Sequence, residues 1–467
     1  MQYSDFLKTK LKTIPDAGFA VELSVLNKLL FEWQKIIVRW AIQKGKCALF
    51  LDTGLGKTFC QLEWANQVFQ KIKENIIIFA PLAVSYQTQR EGKKYGIKVH
   101  ISRGMNDIKS GINIANYEIM DNFDLNKFGG IVLDESSIIK HFGTKTSSEL
   151  IKKCRNVKYK LCCTATPAPN DYMELGMHFE FLGVMKRSEM LATFFINDAS
   201  DTGKWRLKGH AKDKFWEWVA SWACVVKTPS DLGFSDEGYI LPELKIIQHI
   251  VKTNNQRVVK DGREALFEFE CAKTLNERRQ AKRNSLNERI EKAAEIANSS
   301  NEQVLLWCDL NCESEILKKV IIDSVEVKGS DTTEHKTQTI IDFINEKIKA
   351  VISKSSIYGF GINLQNCHRI IFVSMNDSFE RYYQTIRRCF RFGQKSPVEV
   401  HIITSEQEGA VKENIERKQK DAERMTAEMI KYTKKILIKE LYKKEIAENN
   451  YIALDKMKIP SWLEAVA

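Results

Sequence analysis

The stretch Leu51-Asp52-Thr53-Gly54-Leu55-Gly56-Lys57-Thr58 decides the fold of this chain. An apolar run at 47–51 precedes it and is typical of a buried strand, and the apolar side of 59–69 predicts a helix after it. Glycines between a strand and a helix let backbone N–H groups surround an anion, and the helix N-terminus adds partial positive charge. The stretch therefore predicts a phosphate-binding site.

The residues of this loop have distinct expected roles. The backbone cradle for the nucleotide is expected to consist of Thr53, Gly54, Leu55 and Gly56. Lys57 is expected to reach the β/γ-phosphates, and the Thr58 hydroxyl to ligate Mg²⁺. Leu51 replaces the first glycine of the common G-x-x-x-x-G-K-[ST] pattern. The alternative is a glycine turn that only joins a strand to a helix.

Composition and charge limit the class of protein. A length of 467 residues predicts two or three domains, and 43% hydrophobic with 28% charged residues is typical of a soluble globular chain. No apolar run approaches the ~20 residues that span a bilayer, and the first residues lack a signal-peptide layout, so we expect no membrane association. The eleven cysteines include no Cys-x-x-Cys pair, which indicates a reducing compartment. The net charge of +11 favours a polyanionic partner.

Further apolar runs alternate with helical segments after the loop. Unalternating strands separated by helices indicate a parallel sheet covered on both faces, whose ligands bind at the carboxyl ends of the strands. These strands are expected at 75–80, 111–118, 130–133 and 160–163. The run at 130–133 leads directly into Asp134 and Glu135. We expect Asp134 to hold Mg²⁺ and Glu135 to orient and deprotonate the attacking water, whereas the alternative is a solvated turn.

Gln34 lies one helix and one strand before the glycine loop. Its side-chain amide offers a paired donor and acceptor that suit an adenine edge. A glutamine on the protein surface is the alternative, and position alone does not separate the two.

Residues 170–300 have a different pattern. Phe215 and four tryptophans occur there among basic residues, and these tryptophans are Trp205, Trp216, Trp218 and Trp222. Such a pattern suits stacking on nucleobases. It equally suits a helix at 215–226 that packs a small accessory core, which is the interpretation we favour. The basic residues of 271–297 predict a charged helix that either contacts nucleic acid or is solvated.

A second strand–helix series predicts a second parallel α/β domain. Its strands are expected at 303–308, 324–327, 350–353, 369–373 and 398–403. A glycine-rich turn at 358–365 lies between the third and fourth of them. Arg388 and Arg391 are three residues apart on one helical face, where two guanidiniums can clamp phosphate oxygens and neutralise charge that develops in phosphoryl transfer. A charged surface helix is the alternative.

Together these motifs resemble superfamily 2 helicases, and within them the Swi2/Snf2-like branch found in phages and prophages. The resemblance covers roughly 30–175 and 300–405. The matching segments, in the order of the family, are the adenine-reading Gln34, Walker A at 54–58, motif Ia at 80–82, Walker B at 134–137, motif III at 164–167, motif V at 359–364 and motif VI at 384–394. Two departures are the Asp-Glu-Ser-Ser of 134–137, where Asp-Glu-Ala-His is common, and Asp52-Thr53 in place of the usual Asp-Glu-Met lead.

The resemblance implies an α/β fold of two RecA-like doubly wound parallel-sheet lobes with a helical accessory insertion. The implied parts are an ATP-binding lobe at 1–175, the accessory region at 176–298, a second lobe at 299–405 and a helical tail at 406–467. The lobes are expected to close on ATP and Mg²⁺. The resemblance also implies nucleotide contacts for Gly361 and Gln384 and the role of arginine fingers for Arg388 and Arg391.

The expected function is that of a nucleic-acid-dependent ATPase that translocates on DNA, most readily on duplex DNA. A helicase that separates strands of DNA or RNA is one alternative, and an ATP-gated DNA-binding or assembly module with little turnover is another. A separate subunit could supply nuclease or modification activity. We expect a cytoplasmic location in a bacterial or phage-infected cell.

Overall fold

The structure is a computed structural model of the 467-residue chain. The described residues are 16–81, 84–139, 145–168, 172–198, 201–252, 282–358, 363–375, 378–406 and 409–448. Gly361, the predicted nucleotide contact, lies outside the described residues, as do residues 271–281 of the predicted charged helix.

Strands and helices alternate through most of the chain. The strands are β1 (Lys46–Leu51), β2 (Ile76–Ala80), β3 (Val99–Ile101), β4 (Ile112–Asn116), β5 (Gly130–Asp134), β6 (Tyr159–Cys163), β7 (Phe195–Asp198), β8 (Asp201–Leu207), β9 (Ala223–Val226), β10 (Leu244–Val251), β11 (Val304–Cys308), β12 (Ser324–Val327), β13 (Ala350–Lys354), β14 (Arg369–Phe372) and β15 (Val398–Ser405). The α-helices are α1 (Glu32–Lys44), α2 (Lys57–Ile72), α3 (Val84–Lys94), α4 (Lys145–Lys153), α5 (Leu175–Leu182), α6 (Arg187–Phe194), α7 (Lys212–Ala220), α8 (Leu286–Asn298), α9 (Asn311–Val320), α10 (Thr333–Ile344), α11 (Ser355–Tyr358), α12 (Phe379–Ile386) and α13 (Gly409–Glu448).

Two parallel sheets organise these elements into two lobes. The first lobe contains a seven-stranded sheet in the order β3-β4-β2-β5-β6-β1-β9. The second contains a six-stranded sheet in the order β10-β15-β14-β11-β13-β12. Every strand pair within these two sheets is parallel. The prediction of two doubly wound parallel-sheet lobes is confirmed.

Strand β1 shows why the first sheet is covered on both faces. Successive side chains of a strand point to opposite faces of the sheet. Ala48 and Phe50 therefore enter one hydrophobic core, whereas Cys47, Leu49 and Leu51 enter the other. Helices α5, α6 and α7 contribute to the first of these cores, and α1, α2 and α3 to the second. An apolar run without alternation is what a strand between two cores requires.

The region predicted as accessory, 176–298, contributes to both sheets. Strand β9 pairs with β1 at the edge of the first sheet, and β10 pairs with β15 along all eight of its residues at the edge of the second. Strands β7 and β8 form an antiparallel hairpin. The predicted limits at 175/176 and 298/299 therefore do not coincide with the limits of the sheets, because short strands on both sides of the linker at 227–243 complete them.

The tryptophan cluster belongs to the core of the first lobe. Phe215, Trp216 and Trp222 are fully buried and Trp218 is 5% exposed, in the same core as Phe50 of β1. Packing, the interpretation we favoured, is confirmed for these side chains, and they have no exposed face on which a nucleobase could stack.

The basic residues of the predicted charged helix also have structural partners. Arg289 of α8 and Glu313 of α9 form a fully buried ion pair at 2.6 Å. Lys282 pairs with Asp309 at 2.7 Å and is itself buried. These two cations stabilise the second lobe and do not form a basic surface for nucleic acid.

The tail forms the predicted helix, α13, and returns from the second lobe to the first. Its Met425, Met429 and Tyr432 are buried in the core that also contains the tryptophan cluster. An ion pair of 2.5 Å between Lys212 of α7 and Glu428 of α13 borders this contact. In the part of the chain that the structure describes, no helix is both long and apolar enough to cross a membrane.

Candidate active site between the two lobes

The backbone of the glycine loop between β1 and α2 fits a phosphate cradle. Gly54 and Gly56 have φ angles of +88° and +74°, in the region that favours glycine. A Cβ on Gly56 would lie 2.4 Å from Nε2 of Gln34, so no side chain fits there. The Thr53 hydroxyl oxygen is buried and has no hydrogen-bond partner among the described residues. An unpartnered hydroxyl beside a glycine cradle points to a polar ligand in the loop.

Gln34 holds this loop in place. Its Nε2 donates to the carbonyl oxygen of Leu55 at 2.9 Å, and its Oε1 accepts from the backbone N–H of Phe31 at 3.0 Å. The residue is 3% exposed. The structure thus places the predicted adenine-reading amide against the phosphate loop, and contact with a base stays a prediction.

Lys57 and the two acidic residues after β5 meet at the carboxyl edge of the first sheet. Lys57 Nζ donates to Glu135 Oε1 at 3.0 Å, and the backbone N–H of Glu135 donates to Asp134 Oδ1 at 3.1 Å. Glu135 has a φ of +53°, a conformation that a non-glycine residue keeps only where its surroundings impose it. The structure therefore brings together the three residues of the first lobe that the sequence predicted to act on ATP.

The charges at this edge keep the two carboxyl groups different. Burial raises the pKa of Asp134 to about 6, and the charge of Lys57 opposes the rise. Burial would also raise the pKa of Glu135, but the charges of Lys57 and Arg388 outweigh it and hold that pKa below its ordinary value. Glu135 is therefore ionised at neutral pH. Asp134 is a buried carboxyl group that a nearby cation would stabilise in its charged form.

A chain of hydroxyl groups connects Glu135 to the second lobe. Thr164 Oγ1, after β6, donates to Glu135 Oε2 at 3.3 Å and accepts from the backbone N–H of Thr166 at 3.2 Å. Thr166 Oγ1 accepts from Gln384 Nε2 at 3.4 Å and lies 3.5 Å from Glu380 Oε1. The sequence placed these threonines in a motif but assigned no role to either side chain.

Arg388 extends from the second lobe to this site. Its Nε donates to the carbonyl oxygen of Gln384 at 3.0 Å, and its Nη2 to Gln384 Oε1 at 2.6 Å. Burial lowers the pKa of Arg388 to about 10, and the charge of Glu135 opposes this. The guanidinium is therefore charged at neutral pH. Gln384, predicted to contact nucleotide, orients this arginine in the structure.

Arg391 lies between acidic groups of the first lobe. Burial lowers its pKa, and the charges of Glu91 and Glu135 act in the opposite direction. Glu91, on α3, also accepts from Asn363 Nδ2 at 3.5 Å. Sequence reasoning missed Glu91, because an acidic residue in an otherwise polar helix carries no signal of its own.

A histidine contacts Ser136, in the segment where the resemblance lacks one. His178 of α5 is fully buried, and its Nε2 lies 3.1 Å from Ser136 Oγ. Its ring packs edge-on against Phe50 at a centroid distance of 5.3 Å. The imidazole beside the acidic strand end therefore comes from a different element. No sequence motif pointed to it.

The predicted site residues thus fall into three groups. Lys57, Asp134, Glu135 and Arg388 come together, with Arg391 close to Glu135. Thr58, the predicted Mg²⁺ ligand, is half-buried in the first turn of α2. Gly361 lies outside the described residues. The chemical roles of all of them remain predictions.

Two family models match the chain. An SNF2-related domain matches residues 33–200, and a helicase conserved C-terminal domain matches residues 282–393. The first match contains the phosphate loop and the acidic strand end, and the second contains Arg388 and Arg391.

Two individual proteins are similar to parts of the chain. One, from Acanthamoeba polyphaga mimivirus, carries the name of an ATP-dependent RNA helicase and is 33% identical over 100 residues, which is 21% of this chain and 18% of that protein. The chain thus matches less than a fifth of that relative. The other is the SWI2/SNF2 ATPase core of Sulfolobus solfataricus, solved in complex with dsDNA; it is 18% identical with a TM-score of 0.41 and covers 83% of this chain and 90% of its own.

Proposed function

The chain belongs to the SNF2-related family of helicase-like ATPases, since it contains both domains of that family in order, and on this premise we propose that it is an ATP-dependent nucleic-acid motor. The motor hydrolyses ATP between its two lobes and translocates on DNA, with duplex DNA as the favoured track. One observation carries the proposal. Charged groups from both lobes, Lys57 and Glu135 from the first and Arg388 from the second, converge beside the glycine cradle.

The residues around the loop fit a nucleoside triphosphate with Mg²⁺. The glycine cradle and the unpartnered hydroxyl of Thr53 suit phosphate oxygens. Lys57 would hold the β/γ-phosphates, and Thr58 and Asp134 would hold the metal ion. When bound, ATP·Mg²⁺ supplies the phosphoanhydride bond to be hydrolysed and a divalent charge that neutralises negative charge on the phosphates.

Glu135 is the proposed general base. It is ionised and its side chain is only 9% exposed. Its two oxygens interact with Lys57 and Thr164, respectively. Phosphate oxygens would attract the Lys57 ammonium more strongly than one carboxylate does, which would free Oε1 of Glu135 to accept a proton from water.

The second lobe contributes arginines only when the lobes are together. Arg388 and Arg391 are both beyond β14 of the second sheet, whereas the glycine loop follows β1 of the first. Lobe closure therefore completes the site, and opening disassembles it. A cycle of closing and opening that depends on ATP is what a stepping motor requires.

The cleft between the lobes is the proposed track for nucleic acid. It has a volume of about 1340 Å³ and extends from Glu135 along both lobes. Its basic lining residues are Arg90, Lys94, Lys336, Arg381 and Lys395. Contacts from such side chains go mainly to phosphates, so we expect little sequence preference and strong weakening by salt.

Strand separation is the second candidate function. The β7–β8 hairpin, which the sequence did not reveal, favours it, because an exposed hairpin is a suitable shape for parting two strands. Ile196 of this hairpin is 42% exposed and Arg206 is also exposed. The name of the mimivirus relative keeps RNA as a further substrate to be tested.

One set of assays distinguishes these functions. ATPase rates are measured with duplex DNA, single-stranded DNA, RNA and no nucleic acid, beside triplex-displacement and strand-displacement assays. Duplex-stimulated turnover with triplex displacement alone supports duplex translocation. Strand displacement supports the second candidate. A turnover that no nucleic acid stimulates refutes the motor and leaves an ATP-gated binding module. Lys57→Ala and Glu135→Gln serve as inactive controls, and the second is expected to retain ATP binding.

A further inference from the structure

Asp52, in the lead of the glycine loop, connects the loop to the second lobe. Its Oδ1 accepts from its neighbour's backbone N–H, that of Thr53, at 2.6 Å, and from the Tyr383 hydroxyl at 2.6 Å. Its Oδ2 lies 3.6 Å from Arg387 Nη2. The backbone N–H of Asp52 donates to Val226 of β9 at 3.0 Å. One carboxylate thus shapes the loop, contacts the other lobe and rests on the sheet.

The partners of Asp52 are themselves held in a compact arrangement. Tyr383 and Arg387 are four residues apart on α12 and its C-terminal cap and therefore share a face. The Arg387 guanidinium lies 5.0 Å from the ring centroid of Tyr383 and 5.2 Å from that of Phe390, within the range of cation–π contact. The side chains of Asp52 and Arg387 are 11% and 17% exposed.

The electrostatics agree with this geometry. Burial and the charge of Asp52 raise the pKa of Tyr383, so its hydroxyl stays a hydrogen-bond donor. Burial would lower the pKa of Arg387, but the charge of Asp52 outweighs it and the pKa is raised. A charge-assisted, water-poor contact of this kind is stronger than a neutral one.

The face next to this contact carries the groups of the active site. Gln384 and Arg388 follow Tyr383 and Arg387 by one residue each, so they are rotated by about 100° around the same helix. They contact Thr166 and interact with Glu135 in the first lobe. The Gln384–Thr166 contact is long, at 3.4 Å. The contact of 2.6 Å at Asp52 is therefore the better defined of the two.

We propose that Asp52, Tyr383 and Arg387 form an inter-lobe latch that sets the rotation and height of α12 and thereby places Arg388 against the phosphate loop. The three are positioning residues, and the inference rests on the proposed ATPase function of the site. It also gives a role to Asp52-Thr53, the lead that departs from the pattern of the resemblance.

The test compares Tyr383→Phe, Asp52→Asn and the double variant with a matched control, Tyr382→Phe. Tyr382 is the neighbouring buried tyrosine, and its ring packs on Phe372 within its own lobe. We expect kcat for ATP to fall about tenfold in Tyr383→Phe, the order expected for a lost hydrogen bond to a charged group, with unchanged affinity for ADP. The double variant is expected to lose no more than the weaker of the two single variants. Tyr382→Phe should match the wild type.

Two further measurements separate a latch from a merely structural contact. Arg387→Lys, which keeps the charge, is expected to retain more turnover than Arg387→Gln, at equal melting temperature. Amide hydrogen exchange in residues 379–390 should be faster in Tyr383→Phe than in the wild type and unchanged in Tyr382→Phe. This second readout needs no turnover.

Three results would overturn the latch. They are wild-type kcat and exchange in Tyr383→Phe, losses in the two single variants that multiply in the double variant, and a parallel loss of ADP affinity and turnover. If the wild type is not stimulated by nucleic acid, the proposed motor fails, but the exchange experiment still tests the latch.

Discussion

Replacing Gly54 by alanine tests whether the second lobe closes on the phosphate loop. A Cβ at this position would lie 2.8 Å from the backbone nitrogen of Phe392 and 3.0 Å from its Cβ. Favourable contacts between non-bonded atoms are at about 3.5–4.0 Å. Phe392 belongs to the second lobe and its backbone cannot rotate out of the way, so the added methyl group would hold the lobes apart.

Two separate energies follow from the substitution. The φ of +88° at Gly54 is strained for alanine and costs about 1–2 kcal/mol of folding stability. Overpacking against Phe392 typically costs about 1–3 kcal/mol, and it applies only while the lobes are closed. Since 1.36 kcal/mol corresponds to a tenfold change in rate, kcat should fall about 5- to 150-fold.

Gly183→Ala is the matched control. Gly183 has a φ of +75°, yet a Cβ there would meet nothing within 4 Å. We therefore expect similar losses of melting temperature in both variants, with normal ATPase turnover in Gly183→Ala alone. The assay is steady-state ATP hydrolysis with parallel measurement of ADP binding. Wild-type kcat in Gly54→Ala would refute closure in this geometry, and an equal loss of ADP affinity and kcat would place the defect in the phosphate cradle instead.

Two further predictions concern other charged groups. Because burial raises the pKa of Asp134 to about 6, protons should compete with Mg²⁺ as the pH falls through that value, and the Mg²⁺ concentration for half-maximal ATPase activity should rise; a constant Mg²⁺ requirement would contradict this. Glu313→Ala leaves buried Arg289 unpaired and should cost about 3–5 kcal/mol in urea unfolding. The control Glu315→Ala, which breaks an exposed pair with Lys328, should change stability by less than about 1 kcal/mol, and equal losses would be the contrary result.

The strands that sequence analysis found and missed differ in length and environment. Runs such as 76–80 and 304–308 are buried at every position and were recognised by their continuous apolar character. Strand β3 has only three residues, and β9 follows the tryptophan cluster without a break that marks it. Strand β10 is an edge strand with Ile246 and Ile250 more than half exposed, so its pattern matched neither a buried nor a half-buried strand.

The active site divides in the same way. Lys57, the acidic pair after β5 and Arg388 were recognisable because each stands in a short segment whose residue types suit one chemical task. Glu91 and Tyr383 were not, because each gains its role only from a partner far along the chain. Asp52 and Tyr383, for example, are separated by 331 positions.

The sequence by itself determined the elements and the chemistry that they can carry: a glycine loop between strand and helix, an acidic strand end and a pair of arginines. These depend on backbone sterics, apolar periodicity and functional groups, which act over a few residues. The tertiary structure alone decided which of these groups meet. The approach of Phe392 to Gly54 and the contact of Tyr383 with Asp52 depend on how two separately folded sheets pack, and that packing is the sum of many weak contacts contributed by the whole chain.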